Sequence, residues 1–131
     1  MTEFTIRKLS EVPDMFGGEF PGSMRSMTES LGSRQLAFTH RVMPRGSGGK
    51  GSYGHRHKTQ EEVYYVISGL VEFKLGDEVV EVGPGTAVCV PPETVRSIWN
   101  EGPEDAELVI CSVRVDDPLA DGEIVEDFWP A

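Results

Sequence analysis

The sequence predicts an all-β protein built as a single domain. Three observations carry that prediction: short runs rich in valine and isoleucine, frequent turn residues between them, and no long stretch with helical hydrophobic spacing. Nine prolines and fifteen glycines provide the breaks. At 131 residues the chain suits one hydrophobic core, which a sheet closed on itself can bury at this length.

Taken in order, residues 1–34 read as an N-terminal segment, with a strand at 4–9 and a loop or short helix at 24–31 packing on the barrel. Met15, Met24 and Met27, set among glycines and prolines, suit a cover for a barrel opening or for a surface between subunits. The barrel is expected over 35–115, with strand runs at 35–43, 62–75, 78–82, 86–90, 95–99 and 107–115. Leu75-Gly76-Asp77-Glu78 reads as a tight hairpin and Pro84-Gly85 as the next turn. Residues 116–131 form an acidic tail, read as solvated loop apart from Phe128 and Trp129, which are expected to dock on the barrel or on a partner chain.

The functional signal lies between Gly49 and Gly69. Alternate residues of a strand point to one face, so His55 and His57 project together while Arg56 points away. Glu62 opens the β-branched and aromatic run that follows, and its carboxylate can complete a face of two nitrogens and one oxygen with positions left open for substrate or dioxygen. The plain reading of the same residues is a surface loop with an acidic strand edge. The loop 45–54 has a lysine among glycines, but it lacks the upstream glycine and the following serine or threonine of a phosphate loop, and it reads as a bend into the histidine strand.

Gly49, His55, His57, Glu62 and Gly69 in this spacing match the first signature of the cupins, and the chain resembles that family over residues 35–115. The family's second signature falls on Gly85, Pro91, Glu93, Arg96 and Asn100. Here Glu93 replaces the usual glycine, and Arg96 replaces the histidine that usually supplies a fourth ligand. The resemblance implies a double-stranded β-helix, the cupin or jelly-roll barrel, holding a divalent metal (iron, manganese, zinc or nickel) on His55, His57 and Glu62. It also implies a homodimer. Cupin function is broad, so the fold by itself selects no reaction.

Arg96 is the decisive departure, because a guanidinium keeps its proton in a protein and cannot ligate a metal. At about 5 Å from a dication and an effective dielectric near 20, its repulsion is on the order of 7 kcal/mol. Three arrangements follow. Glu62 and Arg96 pair in a metal-free pocket; or the triad holds a metal while Arg96 swings to the barrel mouth and clamps an anionic substrate with two parallel hydrogen bonds; or both charges only line a structural barrel. The second is the preferred expectation, with Arg96 and Tyr64 as the catalytic candidates.

Two further side chains are candidate extra ligands or pocket residues. His40 alternates with Leu36, Phe38 and Val42, which argues that it shares their face and points into the barrel. Gln60 has the parity of Glu62, and its amide oxygen can coordinate. Tyr64 has that parity too, with core packing as its plain role.

The formal net charge of −10 disfavours nucleic acid and anionic membrane surfaces as partners. Cys89 and Cys111 lie in apolar runs and read as buried thiols. No charged-then-apolar leader opens the chain and no apolar run of about eighteen residues occurs, so a cytoplasmic protein is expected. The reading is a small-molecule-binding cupin with a divalent-metal site, acting as a dioxygenase or isomerase on a small polar or anionic substrate. The alternative is a metal-free binding protein with a Glu62–Arg96 ion pair and no catalysis.

Overall fold

Two antiparallel sheets face one another around the core in a computed structural model that describes residues 3–131. The first sheet runs β1 (Ser23–Ser26), β2 (Leu36–Met43), β10 (Ala106–Val113), β5 (Glu62–Ser68), β8 (Thr86–Val90) in spatial order. The second runs β11 (Gly122–Val125), β4 (Gly54–His57), β9 (Arg96–Asn100), β6 (Val71–Leu75), β7 (Glu78–Val82), with the two-residue β3 (Ser47–Gly48) also paired to β9. The all-β class is the one expected from the strand rhythm, and the two facing sheets form the jelly-roll that the family resemblance implies. Among the described residues, helix is confined to one 3-10 turn at Leu9–Glu11 and two short pieces, α1 (Met27–Leu31) and α2 (Pro118–Asp121).

The inner faces are set by parity. Tyr64 and Val66 on β5, Val71 and Phe73 on β6, Ile98 on β9 and Leu108 on β10 form the buried cluster that joins the sheets, with Phe73 and Leu108 fully enclosed. Tyr64 meets Phe73 edge to face at 5.2 Å between ring centroids. The hairpin between β6 and β7 turns on Gly76 and Asp77, with Leu75 opposite Glu78, and Gly76 holds the positive φ of 58° that the first position of such a two-residue turn requires.

Several expectations change. Residues 4–9 pair with no strand; the N-terminal strand is Ser23–Ser26, at the edge beside β2. The expected run 62–75 is broken at Gly69, where the chain leaves one sheet for the other. The cysteines are not buried: Cys89 is exposed, Cys111 is half-buried, and both are free. Each pairs with Val63, itself exposed on the outer face of β5, so their strands are apolar but their parity faces outward. The acidic tail is only partly solvated. Its strand β11 extends the second sheet beside β4, and Phe128 covers Gly54 so closely that a Cβ there would lie 2.4 Å from the ring. Trp129 is buried at 5% exposure and bonds through its backbone to Gly51 and Ser52. No helix of the described residues is long and apolar enough to cross a membrane.

Candidate metal centre

Strand parity places His55 and His57 on the inner face of β4, since His55 lies opposite Arg96 and Arg96 opposite Leu75 of the core. Glu62 reaches them from the start of β5 in the facing sheet, on the side that carries Tyr64 and Val66. One oxygen collects the contacts. Glu62 Oε1 lies 3.5 Å from Nε2 of His55 and 3.5 Å from Nε2 of His57. The three candidate ligand atoms lie within 4.8 Å of one another. Two donors each about 2.1 Å from one ion stand about 3.0–3.4 Å apart at octahedral to tetrahedral angles, so the two imidazole–carboxylate separations match a shared divalent cation. The His55 side chain is 36% exposed against 11% for His57 and 14% for Glu62, which puts the open side of the group at His55.

His57 is the best-determined member. Its Nδ1 lies 3.2 Å from Asp121 Oδ2. An ionised carboxylate only accepts, so Nδ1 carries a proton there and Nε2 is left facing Glu62. Nε2 is buried and has no hydrogen-bond partner of acceptable geometry. A bare imidazole lone pair facing a carboxylate oxygen at 3.5 Å needs a proton or a cation between the two.

Burial alone pushes the Glu62 carboxyl upward, but His55, His57 and the Tyr64 hydroxyl outweigh it and hold the group well below the usual carboxylate range. The imidazole contacts sit at the limit of hydrogen bonding, so the firm one is Tyr64, whose hydroxyl donates to Oε1 at 2.8 Å. Tyr64 in turn is raised, by burial first and then by the Glu62 charge, and it stays a neutral donor.

Arg96 does not reach the barrel mouth. It is fully buried, its Nη1 donates to the Pro92 carbonyl at 3.0 Å and the Thr94 carbonyl at 2.7 Å, and its Nε stands 3.3 Å from Glu62 Oε1. The arm expected to clamp a substrate is held by the loop before its own strand, and Nε and Nη2 are left without hydrogen-bond partners. Arg96 is therefore a fixed positive charge beside Oε1, the same oxygen that the two imidazoles approach.

His40 lies on the opposite face from the one expected. Its neighbours in sequence, Arg41 and Met43, oppose inward Leu108 and Ala106, so His40 points out and pairs with Glu107 at 3.1 Å. Apolar alternation misled because the outer face of β2 is apolar as well. Gln60 is buried near the triad, but its Nε2 donates to the Val113 carbonyl at 2.8 Å and its N–H to Asp121 at 3.1 Å.

Sequence reasoning missed two residues. Arg41 enters the barrel from β2, with a buried, unpartnered Nε and its guanidinium 5.6 Å from the centre of the Phe16 ring. Correct parity on β2 identifies it. Asp121 sits in the acidic tail, and nothing in its local sequence distinguishes it from its acidic neighbours.

A cavity of about 470 Å³ opens beside the centre. Met15, Met24, Ala37 and Ile110 give it apolar walls, and Glu62, Gln60, Thr39 and Ser112 supply polar points. Arg96 and Arg41 do not line it.

Comparisons agree with this architecture. The polyketide cyclase RemF from Streptomyces resistomycificus superposes with a TM-score of 0.74 at 16% identity, over 96% of this chain and 87% of that one. A protein from Thermotoga maritima described as a predicted oxalate decarboxylase superposes with a TM-score of 0.67 at 23% identity, over 85% of this chain and 100% of that one. An uncharacterized protein of Methanocaldococcus jannaschii is 36% identical over 58 residues, 44% of this chain, and the match spans 46% of that relative's length. The model of the cupin domain family matches residues 40–112, more than half of the sequence. With two facing sheets and a match that runs from β2 into β10, this chain belongs to the cupin family.

Proposed function

We propose that the protein binds one divalent cation on His55, His57 and Glu62 and uses it to hold a small organic molecule in the adjacent cavity. The observation that carries this reading is the buried Nε2 of His57, unpartnered and aimed at Glu62 while Nδ1 is held by Asp121. A dication there supplies Lewis acidity or a site for dioxygen, according to whether it is zinc, manganese, nickel or ferrous iron. The residues of this chain do the rest. Tyr64 keeps Glu62 ionised by donating to it, Arg96 adds a fixed countercharge beside the same carboxylate oxygen, and Met15, Met24 and Ile110 exclude water from the ligand body. Apolar walls and a bound dication at the Glu62 end would suit a ligand with an apolar body and one anionic oxygen head, for an isomerase- or dioxygenase-type reaction. That the family neighbours include proteins described as a cyclase and a predicted decarboxylase is compatible with chemistry on oxygenated carbon acids.

A second reading rests on the 3.3 Å approach of Arg96 Nε to Glu62 Oε1, which favours a metal-free pocket closed by an ion pair. Elemental analysis of protein purified without a histidine tag, before and after loading with ferrous iron, manganese or zinc, separates them: about one equivalent of metal is expected, and none after loading leaves the ion-pair reading.

The outer face of the first sheet exposes Val63, Tyr65, Ile67 and Val113. The acidic side chain Glu107 on this face is paired with His40, and the apolar patch suits a second copy of the same chain. Light scattering is expected to give a dimer that Tyr65→Glu dissociates.

A further inference from the structure

We infer that Asp121 is the positioning residue of this centre: it orients His57 through Nδ1, and docking of the C-terminal segment is thereby coupled to metal occupancy. The inference rests on the proposed metal site and deepens it.

Asp121 ends α2, and the next residue, Gly122, lies opposite His57 where β11 pairs with β4. Both carboxylate oxygens are committed. Oδ1 accepts from the Thr59 N–H at 3.0 Å and from the Thr59 hydroxyl at 2.6 Å. Oδ2 accepts from the Gln60 N–H at 3.1 Å and from His57 Nδ1 at 3.2 Å. The backbone adds the Lys58 N–H, donating to the Asp121 carbonyl at 2.9 Å. With 8% exposure, the side chain is enclosed between the tail and the loop that joins β4 to β5.

This loop connects the two strands that bear the triad, so one carboxylate ties His57 on β4, the turn leading to Glu62 on β5, and the tail. It leaves the imidazole one tautomer and one ring orientation, both presenting Nε2 to Glu62. A carboxylate behind a ligating histidine raises ligand basicity and fixes its direction, and losing such a partner typically costs 10- to 100-fold in metal affinity. Linkage is reciprocal, so a cation at Nε2 must hold Asp121 and its segment in place by the same factor.

The test uses Co²⁺ as probe on the full chain, read by calorimetric titration and by the visible absorption of the bound ion. Asp121→Asn, which keeps an acceptor for Thr59 but loses the charge facing His57, is expected to bind about 10- to 100-fold more weakly with altered absorption bands. Thr59→Val removes one bond to the same carboxylate without touching His57, and it is expected to lower thermal stability while leaving Co²⁺ affinity at the wild-type value. Co²⁺ added to wild-type protein is expected to slow hydrogen exchange at the Lys58, Thr59 and Gln60 amides, a readout that needs no variant to fold. Unchanged affinity in Asp121→Asn, equal weakening in Thr59→Val, or unaltered exchange each overturns the role of Asp121 while leaving the metal site standing. Failure of wild-type protein to bind Co²⁺ overturns both.

Discussion

Two histidine–carboxylate pairs occupy opposite faces of this barrel and have almost the same geometry. His40 meets Glu107 at 3.1 Å on the outer face of the first sheet, and His57 meets Asp121 at 3.2 Å at the edge of the second. In each pair the other ring nitrogen is buried without a partner, Nδ1 in His40 and Nε2 in His57. What differs is the surroundings of that free nitrogen. Among the described residues no second imidazole or carboxylate joins His40 in such a group, whereas His57 converges with His55 on Glu62. A histidine held by an acid is thus a common structural device, and it becomes a candidate ligand only where further donors converge within the reach of one ion.

The largest expected break in this comparison comes from Glu62→Gln. Removing the charged oxygen on which both imidazoles converge should cost more than the ~100-fold that marks the upper end for supporting residues, so that stoichiometric metal disappears from elemental analysis. His40→Ala should retain metal in full. If both variants hold metal equally, the distinction between the pairs fails.

Next in size is Tyr64→Phe in chelator-treated protein. Loss of the hydroxyl that donates to the Glu62 carboxylate should destabilise the fold by about 1.5–3 kcal/mol in denaturant titrations at pH 7. The sign of the pH dependence follows from the depressed Glu62 carboxyl. Its contribution is fully present above the unfolded value near pH 4.3 and is lost as pH falls toward its lower folded value. The variant's carboxyl titrates closer to the unfolded value, so the gap between variant and wild type should be widest above about pH 4.3 and should close below it. A gap that is independent of pH would mean that Tyr64 acts only by packing.

The smallest effect belongs to the outer pair. Glu107 is 39% exposed, so Glu107→Gln should change stability by no more than about 1 kcal/mol, with metal content unaltered. A larger loss would show that the outer face supports the barrel more than its solvent contact suggests.

Legibility differed along the chain for physical reasons. His55, His57 and Glu62 could be read because strand periodicity is local: two residues apart on one strand means one face, and the cupin spacing added the carboxylate. The same rule failed at His40, because it reports alternation and not direction, and on β2 the apolar outer set, Leu36, Phe38 and Val42, outweighs the inner set that includes Thr39 and Arg41. It failed at the cysteines for the same reason. Arg96 stood out as the departure from the family pattern, but its reach was misjudged, since the Pro92 and Thr94 carbonyls that hold Nη1 come from a turn whose path cannot be read from residue types.

By itself the amino-acid order determined the all-β class, the turns, the two imidazoles on one side of a strand and the presence of a cation where a fourth ligand usually stands. All of these depend on neighbours a few residues apart, where backbone geometry alone sets direction. Tertiary structure decided which face of β2 points inward, that Arg96 is fixed beside the Glu62 carboxylate instead of above the cavity, and that Asp121 returns to His57 across 64 positions. Those outcomes depend on how two sheets pack and on where the tail adds its strand, and contacts between residues so far apart are set by the packing of the whole core.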